Sequence, residues 1–177
     1  MTDDELIRRC RKRDRAAQHA LYDRHAGPLY RLALRLTGNA EDAADTVQEV
    51  FVSAFTRIDQ FTGRSALATW LYRITVNEAL QVLRRRRRSD VKLRQMSVVE
   101  PPNVETNCVD ARIDLESALA DLLPEERAIL LLRYQQELSY AEIAEVLELA
   151  EGTVASRLNR ARARLRARLE GRNPSED

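Results

Sequence analysis

The sequence predicts an all-α protein made of two small helical domains joined by a flexible linker, and three observations carry that prediction. Apolar residues recur at the helical period over most of the chain, and the alternation expected of strands is absent. The period dissolves between residues 89 and 110, around Pro101-Pro102-Asn103, where a helix cannot continue. A composition of 44% apolar and 32% charged residues in 177 suits helices that each bury one face. The expected division is an N-terminal domain over residues 1–88, a linker over 89–112, a C-terminal domain over 113–172 and a frayed tail over 173–177.

In the N-terminal domain the periodic stretches are residues 4–10, 16–36, 40–57 and 66–88. Gly38-Asn39 punctuates one junction. Phe61-Thr62-Gly63-Arg64-Ser65 punctuates the next, where glycine supplies turn geometry and Ser65 is placed to cap the helix that follows. Beyond the linker the period resumes at Ile113 and persists to Leu169, with breaks at Pro124, at Glu137-Leu138-Ser139 and near Leu149-Ala150.

The last two of these segments have the spacing of a helix-turn-helix. Ser139-Tyr140-Ala141-Glu142 is a capping box that starts a helix, and Ala141, Ile143, Ala144 and Leu147 supply small and apolar residues for close crossing. A turn falls at Glu148-Leu149-Ala150, and a second helix opens at Glu151. Its stripe of Val154, Leu158, Ala161, Leu165 and Leu169 is expected to be buried. The opposite face presents Ala155, Ser156, Asn159 and Arg160 early, with Arg157 and Arg164 beside and beyond them. A helix in the major groove offers its early residues to base edges, where arginine pairs with guanine and asparagine with adenine. Later arginines meet phosphates.

Charge distribution points the same way. With 29 basic and 28 acidic residues the net charge is only +1, yet arginines crowd into residues 84–88 and 157–168. A basic stripe on an otherwise neutral chain is the footprint of a nucleic-acid binder.

Other classes find little support. The longest apolar runs, such as residues 128–132, fall far short of the roughly 20 residues that span a bilayer. The start MTDDELIRRC lacks the apolar core of a signal peptide, so the expected location is the cytosol, without membrane insertion. Cys10 and Cys108 form no CxxC, and His19 and His25 have no companion ligands, so neither metal nor cofactor is expected. No glycine-rich phosphate loop and no Cys-His or Ser-His arrangement stands out, so the chain is not expected to be an enzyme.

Two motif sets carry a family resemblance. Leu123-Pro124 through Arg127, the run from Leu138 to Ala144, Gly152-Thr153-Val154-Ala155-Ser156-Arg157-Leu158 and Arg160-Ala161-Arg162 resemble region 4 of extracytoplasmic-function sigma factors, within the sigma-70 family. Asp45-Thr46-Val47-Gln48-Glu49-Val50-Phe51, Phe61-Thr62-Gly63, Thr69-Trp70-Leu71-Tyr72-Arg73-Ile74, Asn77 and the arginine run resemble region 2 of the same family, in the family's order.

The resemblance implies a protein that binds core RNA polymerase and directs initiation at promoter DNA. It implies core docking through Asp45, Gln48 and Glu49, which share a helical face by their spacing. It implies minus-10 binding through Phe61, Thr62, Gly63, Arg64, Arg73, Asn77, Arg84 and Arg85, with melted bases enclosed by side chains and the arginine run on the backbone. Trp70, a single tryptophan at helical spacing, is read as core. Minus-35 binding falls to Ala155, Ser156, Arg157, Asn159, Arg160 and Arg164. Glu100, Glu105 and Asp110 of the linker are expected to mimic nucleic-acid charge, and two lobes on a linker suggest an anti-sigma protein as a further partner.

The chain departs from the family pattern at Ala44, where glutamate is usual, at Glu148 and Ala150, where a turn glycine and a capping serine are usual, and at Ala155, usually basic. The alternative of a stand-alone helix-turn-helix regulator explains the C-terminal half only. It leaves the Asp45 face and the Phe61 loop without a role.

Overall fold

The computed structural model describes residues 2–96 and 111–170, with side chains over 2–89 and 115–170. Eight α-helices occur among them and no strand: α1 (Asp3–Arg11), α2 (Arg15–Thr37), α3 (Ala40–Arg57), α4 (Leu67–Met96), α5 (Ala111–Ala120), α6 (Pro124–Tyr134), α7 (Tyr140–Leu147) and α8 (Glu151–Leu169). A single 3-10 turn, Ile58–Gln60, follows α3.

Short polar side chains set most of the starts. Asp14 accepts the amides of Ala16 and Ala17 at 2.9 and 3.2 Å, and Asn39 accepts that of Asp42 at 3.0 Å. Proline at the first position opens α6, where no amide is needed. Gly38 ends α2 in the left-handed conformation at φ 69°. Pro28 lies inside α2 and cannot donate the helical amide at its position. Burial of Leu29, Leu32, Ala33 and Leu36 just beyond it keeps the helix continuous.

Three differences from the sequence reading have local causes. The fourth helix begins at Leu67, with the Ala66 carbonyl accepting the Trp70 amide, so the cap position belongs to Ala66 and not to Ser65. It then runs to Met96, eight residues past the arginine run, because arginine is a good helix former and no breaker occurs before Pro101. Leu169 is 49% exposed and Leu165 only partly buried, because both line a groove, with Leu115, Leu131 and Tyr134, that stays open to solvent; Val154, Leu158 and Ala161 are buried as expected. The remaining linker residues 97–110, with Glu100, Glu105, Cys108 and Asp110, and the tail from 171 onward lie outside the described residues.

Helices α1 to α4 enclose one apolar core that includes Leu6, Leu21, Val50, Phe51, Trp70 and Leu71. A second core does not stay within one half of the chain. Leu32 and Leu36 of α2 and Val76, Ala79 and Leu80 of α4 join Leu122, Ile129, Leu132, Ile143, Val146 and Leu158. Helices α6 and α7 thus pack on α2 and α4. Arg127 crosses the same boundary: its guanidinium donates to the Leu36 carbonyl of α2 at 2.7 Å and to the Leu119 carbonyl of α5 at 2.7 Å.

Candidate nucleic-acid interface

Three surfaces hold the residues singled out from sequence. On α3, Asp45, Gln48 and Glu49 are exposed on one face, as their i, i+3, i+4 spacing requires. They line a cleft with Asp42, Glu78, Gln81 and Arg85, so Arg85 sits beside the expected core-docking residues. Next to them Val52, 54% exposed, continues into an apolar patch with Tyr22, Phe51 and Phe55.

The second surface is a cleft of about 400 Å³ between the end of α3 and the outer face of α4. It is lined by Arg57, Gln60, Trp70, Arg73, Asn77, Gln81 and Arg84. It therefore brings together Arg73, Asn77 and Arg84 from the expected minus-10 set. Thr62, Gly63 and Arg64 are exposed on the adjoining loop and do not line it. Gly63 has φ 74° with open space around it, so backbone conformation, not crowding, calls for glycine there. Phe61 is only 6% exposed and packs on Trp70 with ring centroids 5.4 Å apart, so it supports the cleft from behind. The loop is fixed from α1, where the Arg11 guanidinium donates to the Phe61 carbonyl at 2.6 Å. Sequence reading missed Arg57, Gln60 and Arg11. Arg57 and Gln60 flank a loop already singled out, which was a usable signal, whereas the 50-residue separation of Arg11 from Phe61 left none.

The third surface is α8. The capping box that starts α7 is fully formed: Ser139 Oγ accepts the Glu142 amide at 3.3 Å while the Glu142 carboxylate accepts the Ser139 amide at 2.8 Å and its hydroxyl at 2.7 Å. The Ser139 amide first, then its hydroxyl and the Thr69 hydroxyl, hold the Glu142 carboxyl below its usual range. The turn then passes through Glu148 at φ 54°, ψ 45°, and Ala150 caps α8 without a side-chain hydrogen bond.

At 100° per residue Ser156 and Arg160 lie near the centre of the solvent face of α8. Ala155 and Asn159 turn toward one flank, where Asn159 lines a groove with Leu119, Leu131 and Leu165. Arg164 turns to the other flank and is paired with Glu126 of α6. Arg157 and Arg160 make no ion pair among the described residues, so their charge is available to a partner. The Ser156 hydroxyl donates to the Thr153 carbonyl at 3.0 Å. No helix among the described residues is long and apolar enough to cross a membrane.

Comparison with known proteins gives these surfaces a common context. Residues 21–89 match the Sigma-70 region 2 family model, and residues 112–165 match that of Sigma-70 region 4. The ECF RNA polymerase sigma factor SigM of Mycobacterium tuberculosis is 38% identical over 96% of this chain and 85% of its own length. The chain belongs to the ECF sigma factors. SigW of Bacillus subtilis is 30% identical, covering 92% of this chain and 94% of its own. SigE of Mycolicibacterium smegmatis is 40% identical over 82% of this chain, which spans 59% of that protein. Among solved structures, CnrH in complex with the cytosolic domain of CnrY superimposes with a TM-score of 0.72 at 28% identity, covering 97% of this chain and 99% of that one. The sigma factor RpoE of Bartonella quintana, solved with the anti-sigma factor NepR, gives 0.68 at 28% identity over 86% of this chain and 96% of that one. In this sigma factor, α3 and most of α2 and α4 fall within the region 2 match, and α6 and α7 within that of region 4.

Proposed function

We propose that this sigma factor binds core RNA polymerase through the Asp45, Gln48 and Glu49 face and directs initiation by taking two promoter elements on its other two surfaces. Residues 1–88 form the unit for core docking and minus-10 DNA, residues 113–172 the unit for minus-35 DNA, and residues 89–112 link them. The chain acts in the cytoplasm as a non-enzymatic subunit, because phosphodiester chemistry belongs to the polymerase. An anti-sigma protein is a further partner, by similarity to RpoE, which was solved with one.

The observation that carries this reading is the convergence of Arg73, Asn77 and Arg84 on one open cleft walled by Trp70. Such a cleft suits a melted strand: arginines meet phosphates, Asn77 offers both donor and acceptor to a base, and the aromatic wall excludes water. The loop residues Thr62, Gly63 and Arg64, next to the buried Phe61, would border the path of that strand, and Arg85 would extend it along α4. A duplex is the natural ligand of α8, whose first turns are open and whose Arg157 and Arg160 make no ion pair among the described residues.

Run-off transcription with purified core polymerase on a library of randomised promoters tests the reading. The expected outcome is transcripts from templates sharing an upstream and a downstream element at fixed separation. Arg160→Ala should lower promoter discrimination by about 1 to 3 kcal/mol at one upstream position. A chain that forms no complex with core polymerase yet binds duplex DNA would be a stand-alone regulator, and the reading would fall.

A further inference from the structure

The loop assigned above to the minus-10 strand has little structure of its own. Among the described residues, 62–65 make no hydrogen bond from backbone to backbone. Thr62, Gly63 and Arg64 are exposed, and Gly63 holds its left-handed conformation with open space around it. The fixed point of the loop is Phe61. Its amide donates back to the Ile58 carbonyl at 3.2 Å, its ring packs on Trp70, and its carbonyl accepts from Arg11 at 2.6 Å. The first two contacts come from the segments that the loop joins, whereas Arg11 stands at the end of α1, 50 residues away.

Helix α1 is a firm post for this contact. Leu6, Ile7 and Cys10 are buried in the N-terminal core, Asp3 pairs with Arg24 of α2 at 2.6 Å, and the helix packs on both α2 and the 3-10 turn. Arg11 is exposed and makes no ion pair among the described residues, so no carboxylate competes for its guanidinium. Its Nε lies 3.5 Å from the Ile58 carbonyl, at the outer limit of a hydrogen bond, so the bond from the terminal nitrogen to Phe61 carries the tie. A charged donor makes that bond stronger than a neutral pair would. Helix α1 precedes residues 21–89, so the tie adds to the site an element that the region 2 match leaves out.

We propose that Arg11 is a positioning residue for minus-10 recognition, holding the Phe61 carbonyl so that Thr62, Gly63 and Arg64 meet the melted strand already in their binding conformation. The inference rests on the reading of this loop as part of the minus-10 site. A loop ordered in advance loses less conformational freedom when a base docks, and the gain falls only on the bases that the loop touches. Arg11 therefore acts on discrimination at the minus-10 element. It does not act on core docking or on the upstream element, whose surfaces are built on α3 and α8.

The test is transcription by the holoenzyme, formed from the full chain and core polymerase, on promoter libraries randomised separately at the two elements. Arg11→Ala is expected to lower base preference in the minus-10 library about three- to tenfold, the effect of one net hydrogen bond, with upstream preference and core affinity unchanged. Arg11→Lys should retain most of the preference, because one ammonium donor suffices for the Phe61 carbonyl. A loss equal to that of alanine, or a fall at both elements alike, would overturn the proposal. Ile7→Val removes one buried methyl group from α1 and leaves Arg11 in place, so it loosens the helix alone. The same minus-10 defect in that variant would assign the effect to the stability of α1 and overturn the tie as its cause. Gly63→Ala separates the two levels of failure, because it strains the loop backbone at a point where the new methyl group meets no neighbour. If it erases the minus-10 preference while Arg11→Ala does nothing, only the role of Arg11 is wrong. If neither variant changes that preference, the loop does not read the minus-10 element.

Discussion

Arg127 is 7% exposed, yet it has no carboxylate within its hydrogen bonds. Its guanidinium instead donates to the carbonyls of Leu119, Ala120 and Leu122 at and beyond the end of α5, and to that of Leu36 near the end of α2. Helix C-termini leave carbonyls without amides and carry partial negative charge, so two such ends make a suitable seat for a buried cation. Burial pushes its pKa down, opposed by Asp121. Arg127→Ala is expected to cost about 3 kcal/mol in urea unfolding of the full chain, because the buried carbonyls of Leu36, Leu119 and Leu122 lose their donor at once. Arg127→Lys should recover little, since an ammonium cannot reproduce the planar fork. The motif containing Arg127 was visible in the sequence, but its role was not: Leu36 is 91 residues away.

Individual helices were far more legible. Asn39 and the Ser139-Glu142 box act within three residues, so the chain itself declares where α3 and α7 begin. Ser139→Ala should destabilise by about 1 kcal/mol. It should also weaken the acid dependence of stability. The Glu142 carboxyl is held below its ordinary value of 4.5, so its contribution is complete above that value and disappears as pH falls through the lower folded value. Urea midpoints measured from pH 6 down to about pH 3 should therefore fall less steeply for the variant. At the turn of the helix-turn-helix the structure follows the sequence: Glu148 takes a left-handed conformation that favours glycine, and Ala150 leaves the α8 start without a side-chain acceptor. Ala150→Ser should raise stability by about 1 kcal/mol in thermal or urea melts. Two features at this scale escaped local reading. The start of α4 is set by a backbone carbonyl, and the exposure of Leu169 by its place on an open groove.

At the scale of the molecule, the surfaces proposed for core docking and for DNA are arranged around one helix pair. Asp45, Gln48 and Glu49 face outward from α3, while α4 offers its arginines and Asn77 from an adjacent side. Asp45→Ala combined with Gln48→Ala should weaken core polymerase binding by about 1 to 2 kcal/mol in a competition assay. The melting temperature should stay unchanged, because both side chains are exposed and uninvolved in packing. The expectation of two lobes needs one addition. Apolar residues of α2 and α4 complete the core beneath α6 and α7, so in this arrangement the halves share buried surface.

The sequence by itself determined the helices apart from the limits of α4, the caps of α3 and α7, the helix-turn-helix and the faces that carry charge. Each of these depends on groups within about four residues of one another, so pattern alone encodes it. Only the tertiary structure decided that Arg57 and Glu148 meet at one cleft, that Phe61 is a support for Trp70, and that Arg127 ties two helix ends together. Those contacts join residues far apart in the chain, and they arise from the summed burial of many apolar side chains, which no short stretch of sequence records.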